Sequence, residues 1–207
     1  MPDPTAALSS AQRATLDAYV GELARVNRRI NLVARGATPA DLARHVRHCL
    51  AIAARPFPGG ATVVDWGTGG GLPALPLAVA FPDVRFVAVD TIGKKTEAVR
   101  LFARRLGVEN VEVWKGRAEG YDGLAPHYAV SRATAPLADL WAWFDRVRAP
   151  LPDAAPPEAW APGLVCLKGG DLTAEINGLQ DAFPGTSVDV RDVEGAGWED
   201  KALVHVA

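Results

Sequence analysis

A glycine-rich block followed by a distant aspartate is the feature that most constrains the fold of this chain. Residues 63–73 read VVDWGTGGGLP, and residues 84–90 read VRFVAVD. Val63 and Val64 supply the apolar run that is typical of a parallel strand covered on both faces. The glycines that follow let the chain turn sharply and let backbone N–H groups approach a ligand. Asp90 ends the next apolar run, so a βαβ unit places its carboxylate beside the same crevice, where it can accept from both hydroxyls of a ribose.

The spacing of the glycines distinguishes two classes of nucleotide pocket. A dinucleotide fingerprint has the pattern G-x-G-x-x-G at the start of a helix that holds a pyrophosphate. Here Gly67, Gly69 and Gly71 form the pattern G-x-G-x-G, followed by Leu72. This tighter spacing resembles the first motif of Rossmann-like methyltransferases that use S-adenosylmethionine, a ligand with a ribose and an adenine but no phosphate. A strand-turn-helix connection without a ligand also uses glycine, and the pairing of the loop with Asp90 favours the nucleotide pocket.

Length and composition favour a single folded unit. The 207 residues are 49% apolar, enough to bury a full core, and they fit one α/β domain with a short extension better than two domains. We predict a helical extension at 1–58 and a Rossmann-like methyltransferase domain at 59–207, folded together. Cys49 and Cys166 lack the spacing of a metal site, so we expect buried thiols, a reducing compartment and no metal. The sequence has no run of about eighteen apolar residues and no apolar signal core, which predicts a soluble, cytoplasmic protein without a membrane anchor.

The charge is nearly balanced overall but unevenly distributed. The formal net charge is −2, which by itself argues against a general nucleic-acid binder. Residues 1–58 nevertheless carry eight Lys and Arg against four Asp and Glu, residues 85–117 do the same, and residues 118–207 carry six against fourteen. This asymmetry is compatible with a phosphate-facing surface on the N-terminal part and the adjacent helix. A solvated, arginine-rich helix face is the alternative.

Helical and strand patterns alternate along the chain. Ser9 and Gln12 form a capping box before an amphipathic helix, and Pro39 begins a second helix that runs to about Ala54. The later predicted elements are a strand at 62–66, a helix near 74–81, a strand at 84–89, a helix at 93–106, strands at 111–114, 128–131 and 164–167, a helix at about 171–182, and strands at 186–193 and 201–206. The alternation predicts an α/β fold with a mostly parallel sheet, to which the last strand pair adds an antiparallel C-terminal strand.

Several short blocks occur in a fixed order along nearly the whole chain. They are NLVARG at 31–36, RHVRHCL at 44–50, the glycine block, DTIGKK at 90–95, VEVWKGRAE at 111–119, AVSRATA at 129–135 and CLKGG at 166–170. With these blocks the chain resembles the RsmG family, also called GidB, of bacterial small-subunit rRNA methyltransferases. The SRA and LKG blocks are more particular to this family than the glycine block. The resemblance implies a class I S-adenosylmethionine-dependent fold and methyl transfer to N7 of a guanosine in 16S ribosomal RNA.

The resemblance also implies residues of the cofactor site. It places contacts at Gly67 and Leu72, at Ala118 and Glu119 after the third strand, and at Arg132. Glu119 follows a strand at the carboxyl edge, where an acceptor can take the adenine amino group. Arg132 ends another strand at that edge and suits either the carboxylate of the methionine moiety or an RNA phosphate. Together with the motif, the predicted cofactor contacts are Gly67, Gly69, Gly71, Leu72, Asp90, Ala118, Glu119 and Arg132.

Substrate contacts are expected on the basic N-terminal part and at the sheet edge. The predicted substrate residues are Arg28, Arg29, Arg35, Arg47, Arg132 and Lys168, with Arg25 and Arg44 in the same arginine cluster. For Lys168, a salt-bridged lysine at the sheet edge is the alternative. Guanine N7 has a free lone pair and no proton to remove, so we expect catalysis by positioning and name no catalytic residue. The four histidines are predicted to be surface or structural residues.

Other functions fit parts of the pattern. A methyltransferase of the same fold with another RNA, small-molecule or protein substrate would share the loop and Asp90, and a non-catalytic nucleotide-binding regulator would keep the pocket without turnover. A dehydrogenase is disfavoured by the glycine spacing. The chain departs from the family pattern at six positions, which are Ala51, Ile52, Ala74, Tyr128, Lys201 and Ala202. These departures leave room for an altered target nucleotide. The expected partner is small-subunit ribosomal RNA or a ribosomal particle, and the protein is expected to be monomeric.

Overall fold

A seven-stranded mixed sheet lies at the centre of the computed structural model, which describes residues 5–34, 36–132, 134–151, 155–193, 198 and 200–207. The strands are β1 (Thr62–Trp66), β2 (Arg85–Asp90), β3 (Val111–Lys115), β4 (Tyr128–Arg132), β5 (Gly163–Gly169), β6 (Val188–Asp192) and β7 (Lys201–Val206). Their order is β3-β2-β1-β4-β5-β7-β6. The first five strands are parallel, and β7 runs antiparallel to both of its neighbours. This confirms the predicted mostly parallel sheet with an antiparallel C-terminal strand. Residues 194–197, which connect β6 to β7 in the sequence, lie outside the described residues.

Helices flank the sheet on both faces. In the described ranges they are α1 (Ser10–Asn27), α2 (Pro39–Cys49), α3 (Ala74–Ala80), α4 (Gly93–Leu106), α5 (Leu137–Val147) and α6 (Thr173–Ala182). The predicted capping box is present at α1, where the Gln12 N–H donates to Ser9 Oγ at 3.2 Å and the Ser9 N–H donates to Gln12 Oε1 at 2.8 Å. α4 ends as predicted at Gly107, whose φ of 66° suits a residue without a Cβ. Within the described ranges, no helix is both long and apolar enough to span a bilayer.

Two helices differ from the sequence prediction. The second helix is α-helical only to Cys49 and continues as a 3₁₀ helix over Leu50–Ala54. No element is predicted for residues 137–147, yet α5 forms there and buries Leu140 and Phe144 against the sheet. Aromatic residues are typical of strands, so the composition of the short segment LADLWAWFDRV does not indicate a helix. Its helical period becomes visible only once it is known which of its residues are buried.

The N-terminal helices pack on the α/β part of the molecule and share a hydrophobic core with α3 and α4. At one end of α1, Gln12 Nε2 donates to the Val79 carbonyl at 2.8 Å, near the end of α3. Further along α1, the Tyr19 ring packs edge-on against Phe102 of α4, with ring centroids 5.8 Å apart. The Tyr19 hydroxyl also donates to the Gly70 carbonyl at 2.8 Å. α1 therefore runs along the domain and reaches the glycine loop through Tyr19.

Candidate functional site

A cavity of about 470 Å³ opens at the carboxyl edge of the sheet. Its volume lies within the range of roughly 300–1,000 Å³ that is usual for small-molecule pockets. The glycine loop after β1, the segment after β2, the turn after β3 and the end of β4 form its walls. Because β1 to β4 are parallel, their carboxyl ends meet at one edge, and this edge is where α/β folds bind ligands. The fold therefore brings four separate sequence blocks to one cavity.

The glycine loop adopts a backbone conformation that other residues rarely adopt. Gly67, Gly69 and Gly71 have φ angles of 74°, 58° and 96°. A Cβ on Gly67 would lie 2.3 Å from Thr134 Cγ2, so this position has no room for a side chain. Gly67 and Gly69 line the cavity. Gly71 faces α3 instead, where a Cβ would lie 2.5 Å from a methyl group of Leu75, so its glycine is explained by packing.

Asp90 ends β2 and lies directly against the glycine loop. Its side chain is largely buried, and Oδ2 accepts from the Gly69 N–H at 3.0 Å while Oδ1 accepts from the Ile92 N–H at 2.9 Å. Lys95 Nζ lies 3.9 Å from Oδ2. A carboxylate offers about four lone-pair sites, so both oxygens keep capacity for further donors. The two backbone bonds fix the orientation of the carboxylate at the wall of the cavity.

The turn after β3 carries the next predicted pair of cofactor residues. Ala118 is buried and Glu119 is exposed, and both line the cavity from the 3₁₀ helix Ala118–Gly120. Arg146 of α5 fixes this turn, because its Nη2 donates to the Ala118 and Tyr121 carbonyls at 3.1 Å each. Leu72 and Arg132 complete the predicted set on the cavity wall. Seven of the eight predicted cofactor residues thus meet at one cavity, with Gly71 the exception; their contacts with the cofactor stay predictions.

Several cavity residues are absent from the sequence prediction. Leu32 reaches the cavity from the N-terminal extension, and Trp143 reaches it from α5. Asn27 orders the first of these segments, because its Oδ1 accepts from the Leu32 N–H at 2.9 Å and the Val33 N–H at 3.0 Å. Leu32 lies in the NLVARG block that the chain shares with the family, and this block could have indicated a place in the site. Trp143, whose ring centroid lies 6.2 Å from that of Trp66, had no signal, since no helix is predicted there.

Arg132 ends β4 between the cavity and α2. Its Nη1 lies 3.3 Å from His45 Nδ1, and its buried Nε has no hydrogen-bond partner among the described residues. Asp65, one strand away, is fully buried and accepts from the Ala74 N–H at 3.1 Å. Burial raises the pKa of Asp65 to about 7, against the opposing effects of its hydrogen bonds and of the Arg132 charge. Burial likewise lowers the pKa of His48 to about 4, and the Arg132 charge adds to that effect.

The predicted substrate arginines differ in how their charge is neutralised. Within the described part of the chain, three are exposed and have no carboxylate partner: Arg28, Arg29 and Arg47. Two other members of the cluster are paired, with Arg25 at 2.6 Å from Glu22 and Arg44 at 2.6 Å from Asp41. Arg35 lies outside the described residues. The uncompensated positive charge of this surface therefore lies at the end of α1 and on α2.

Lys168 is engaged within the protein. Its Nζ donates to Glu175 Oε2 at 2.6 Å and to the Ala135 carbonyl at 2.5 Å, and only 8% of its side chain is exposed. Lys168 does not line the cavity. This matches the salt-bridged alternative given for it, and a substrate contact, which would require it to leave Glu175, stays a prediction.

The cysteines and the remaining histidines lie in structural settings. Cys49 and Cys166 are free and buried, and burial raises the pKa of each thiol to about 12. His127 Nδ1 accepts from the Thr62 N–H at 2.9 Å, and His205 Nε2 lies 3.0 Å from the Ala161 carbonyl. Among the residues that the structure describes, no three His, Cys, Asp or Glu side chains are grouped so as to hold a metal ion.

Known proteins resemble the chain in sequence and in fold. The model of the GidB family, described as rRNA small subunit methyltransferase G, matches residues 12–202. The ribosomal RNA small subunit methyltransferase G of Salinibacter ruber is 52% identical over 90% of this chain and 86% of that protein, and the protein of the same name from Chlorobium limicola is 38% identical over 86% and 80%. An O-methyltransferase from Bacillus cereus, solved in complex with SAH, has a TM-score of 0.58 at 18% identity over 91% of this chain and 90% of that one. A ribosomal protein L11 methylase from Lactobacillus delbrueckii has a TM-score of 0.59 at 15% identity over 80% and 78%.

The structural matches have low sequence identity and establish the fold alone, which is that of class I methyltransferases. The sequence matches cover most of the chain and establish the family as well as the fold. The predicted membership is confirmed: the chain belongs to the GidB family of small-subunit ribosomal RNA methyltransferases.

Proposed function

We propose that the protein transfers a methyl group from S-adenosylmethionine to N7 of a guanosine in 16S ribosomal RNA. The observation that carries the proposal is the cavity in which the glycine loop and the Asp90 carboxylate meet at the carboxyl edge of the sheet. Membership of a family named for small-subunit rRNA methyl transfer supports the reaction class. The N7 position and the 16S molecule go beyond those names and rest on the resemblance of the motif blocks.

The residues around the cavity fit S-adenosylmethionine. Gly67 leaves open the space that a Cβ would fill, and Asp90 keeps lone pairs for the ribose hydroxyls. Glu119 supplies an exposed acceptor for the adenine amino group, and Arg132 supplies donors for the carboxylate of the methionine moiety. When bound, the cofactor supplies a methyl group on a positively charged sulfur.

Positioning accounts for the reaction without a general base. Guanine N7 carries a lone pair and no proton, so the protein has to align it behind the methyl group and keep water away. Leu32, Leu72 and Trp143 supply apolar surface on the cavity wall. In the described residues no histidine lines the cavity, which agrees with a mechanism that moves no proton.

The RNA is proposed to lie over the end of α1 and over α2. Arg28 and Arg29 follow α1 closely, and Leu32, a few residues later, is part of the cavity wall. Phosphates bound there would therefore lie close to the methyl donor, because the same segment carries the arginines and the wall. We further propose that the enzyme acts as a monomer in the cytoplasm, where its ribosomal RNA substrate is found.

Radiolabelled S-adenosylmethionine tests this function directly. The protein is incubated with small-subunit particles, and in parallel with bare 16S RNA, from bacteria that lack their own enzyme of this family, so that the target is unmethylated. We expect label in 16S RNA, and reduction followed by aniline cleavage should cut the strand at one guanosine, because N7 methylation labilises the ring. Asp90→Ala serves as the matched variant with an impaired pocket.

Three results would contradict the proposal in different ways. Label in another RNA or in protein would mean a different substrate on the same fold. Label in 16S RNA without aniline cleavage would move the methyl group away from N7. Binding of S-adenosylhomocysteine without transfer to either form of the RNA would favour a non-catalytic regulator.

A further inference from the structure

The contact between Arg132 and His45 joins the cofactor cavity to the N-terminal extension. Arg132 lies at the end of β4 and lines the cavity, whereas His45 lies on α2, 87 residues earlier in the chain. The guanidinium Nη1 and the imidazole Nδ1 are 3.3 Å apart. His45 itself does not line the cavity, so it can influence ligand binding there only through Arg132.

The chemistry of the two groups fixes the direction of this hydrogen bond. A guanidinium stays protonated and has no acceptor, so it can only donate. Nδ1 of His45 must therefore be unprotonated, and the ring proton of the neutral imidazole lies on Nε2. A protonated imidazole would have no acceptor to offer and would place a second positive charge beside Arg132.

Arg132 has few other partners in the described part of the chain. Its Nε is buried without a hydrogen bond, and no carboxylate there forms an ion pair with its side chain. Asp65 lies near enough for the Arg132 charge to affect its pKa, but it forms no ion pair with Arg132 among the described residues and accepts from the Ala74 N–H instead. The His45 contact is thus the one side-chain bond that holds this guanidinium among the described residues.

We propose that His45 is a positioning residue, whose neutral imidazole holds the Arg132 guanidinium at the cavity wall so that its remaining N–H groups bind an anion there. This inference rests on the proposed function. The anion is a carboxylate or a phosphate, and its two sources are the methionine moiety of the cofactor and the RNA backbone. The bond also makes α2 part of the binding site, although its residues lie outside the cavity.

Acid should release this contact. Burial lowers the pKa of His45, and the charges of Arg132 on β4 and Arg44 on α2 lower it further, while Asp41 opposes them. His48, one turn along α2, is a further titratable group that interacts with the ring among the described residues. The imidazole is neutral above its lowered pKa, so anion binding should be intact at neutral pH and weaken as the pH falls through a value below 6.5.

Two substitutions at position 45 test the role of the acceptor. His45→Ala removes it, and we expect the affinity for S-adenosylhomocysteine or the KM for RNA to worsen roughly tenfold with a smaller change in kcat. His45→Asn places an amide oxygen near the position of Nδ1, so it should restore most of the loss and remove the acidic limb of the pH profile. A change in cofactor affinity assigns the anion to the methionine carboxylate, and a change in RNA KM alone assigns it to a phosphate.

The matched control is His205→Gln. His205 is also partly buried and also bonds a single partner, but it lies on β7 away from the cavity, so it reports the general cost of losing a histidine. We expect its cofactor affinity and RNA KM to match those of the unmodified protein. Equal kinetics, affinity and pH profile for His45→Ala and the unmodified protein would overturn the proposal.

A titration by NMR separates this inference from the proposed function. The ring signals of His45 should show the Nε2–H tautomer, and Arg132→Gln should raise the pKa of His45 because a nearby positive charge is removed. These results need no substrate, so they hold or fail even if the protein methylates nothing. An unchanged pKa in Arg132→Gln would overturn the contact, and a raised pKa with unaltered kinetics in His45→Ala would overturn the positioning role.

Discussion

The carboxylate of Asp90 has a structural task and a proposed binding task. It accepts from the Gly69 and Ile92 backbone N–H groups, and these bonds hold the glycine loop against the end of β2. The same oxygens keep lone pairs that face the cavity. An aspartate suits this position because a shorter or neutral side chain would satisfy the loop less well and offer fewer acceptors to a ribose.

Replacing Asp90 with Ala should weaken cofactor binding. We expect the dissociation constant of S-adenosylhomocysteine, measured by calorimetry, to rise about tenfold or more, which corresponds to about 1.4 kcal/mol of lost hydrogen bonding. Circular dichroism and thermal unfolding provide the control for folding, since the loop also loses an acceptor. A folded Asp90→Ala protein with unchanged affinity would place the cofactor elsewhere.

The buried Asp65 should make stability depend on pH. Its pKa is about 7 in the folded protein and near 3.8 when unfolded, so between these values only the folded state keeps the proton. The contribution of this residue to the free energy of unfolding therefore falls as the pH rises from about 4 to about 7 and is constant above, a loss on the order of a few kcal/mol.

Asp65→Asn removes this titration and keeps an oxygen for the Ala74 N–H. Its stability relative to the unmodified protein should rise between pH 5 and pH 8, as measured by urea denaturation at both pH values. Asp83→Asn, at an exposed carboxylate, is the control and should show little change between them. A parallel pH dependence in Asp65→Asn and the unmodified protein would rule this explanation out.

At the scale of elements, α5 contributes more to the site than its absence from the sequence prediction suggests. Arg146 fixes the turn that carries Ala118 and Glu119, and Trp143 forms part of the cavity wall. Trp141, two residues earlier, is buried in the core, so neighbouring tryptophans on one helix serve different purposes.

Shortening Trp143 should therefore affect binding more than folding. Trp143→Ala is expected to raise the dissociation constant of S-adenosylhomocysteine roughly two- to tenfold, as for the loss of an aromatic contact of about 0.5–1.5 kcal/mol. Trp143→Phe should retain part of the affinity, whereas Trp141→Ala should mainly lower the melting temperature. Equal affinity in Trp143→Ala would mean that the cofactor does not reach this wall.

The exposed arginines of α1 and α2 should govern RNA binding through charge. Reversing Arg28, Arg29 and Arg47 to Glu should weaken binding of 16S RNA, and the slope of log K against log salt should become shallower by about 2, because fewer counterions are released. The control reverses three exposed arginines on β2, at the end of α5 and on β6, namely Arg85, Arg148 and Arg191, and so has the same net charge. Equal weakening in both triple variants would indicate a general charge effect rather than a local surface.

At the scale of the whole molecule, the extension and the α/β part pack against each other. Leu23 and Leu32 lie against the glycine loop, such that a Cβ on Gly70 would lie 2.9 Å and 3.1 Å from their side chains. Leu32 also lines the cavity, so part of the binding site comes from the extension. We propose that residues 1–58 and 59–207 fold as one unit.

Removing residues 1–58 should therefore destabilise the rest. The fragment 59–207 would expose the apolar faces of α3 and α4 that α1 and α2 cover, so we expect it to unfold at a much lower temperature or to aggregate, and to bind S-adenosylhomocysteine poorly. The full chain should give one cooperative transition in calorimetry, with equal calorimetric and van't Hoff enthalpies. A fragment that melts and binds like the full chain would show two independent domains.

Local features were predictable because their causes lie within a few residues. The capping box at Ser9, the end of α4 at Gly107 and the turn after β1 each depend on side chains or φ angles at the positions concerned. The strand and helix alternation then implied a parallel sheet, which placed the glycine loop and Asp90 at the same edge. α5 was missed because its aromatic residues do not distinguish a helix from a strand over so short a segment.

The sequence by itself determined the fold class, the family and seven residues of the cavity wall, because periodicity, glycine spacing and ordered blocks are properties of the chain alone. Only the tertiary structure decided which distant groups meet. The Tyr19 bond to Gly70 spans 51 residues and the Arg132 bond to His45 spans 87. Each such contact depends on how several elements pack together, and no local pattern records that arrangement, which is why the place of Trp143 on the cavity wall and the contact of His45 with Arg132 were found only in the tertiary structure.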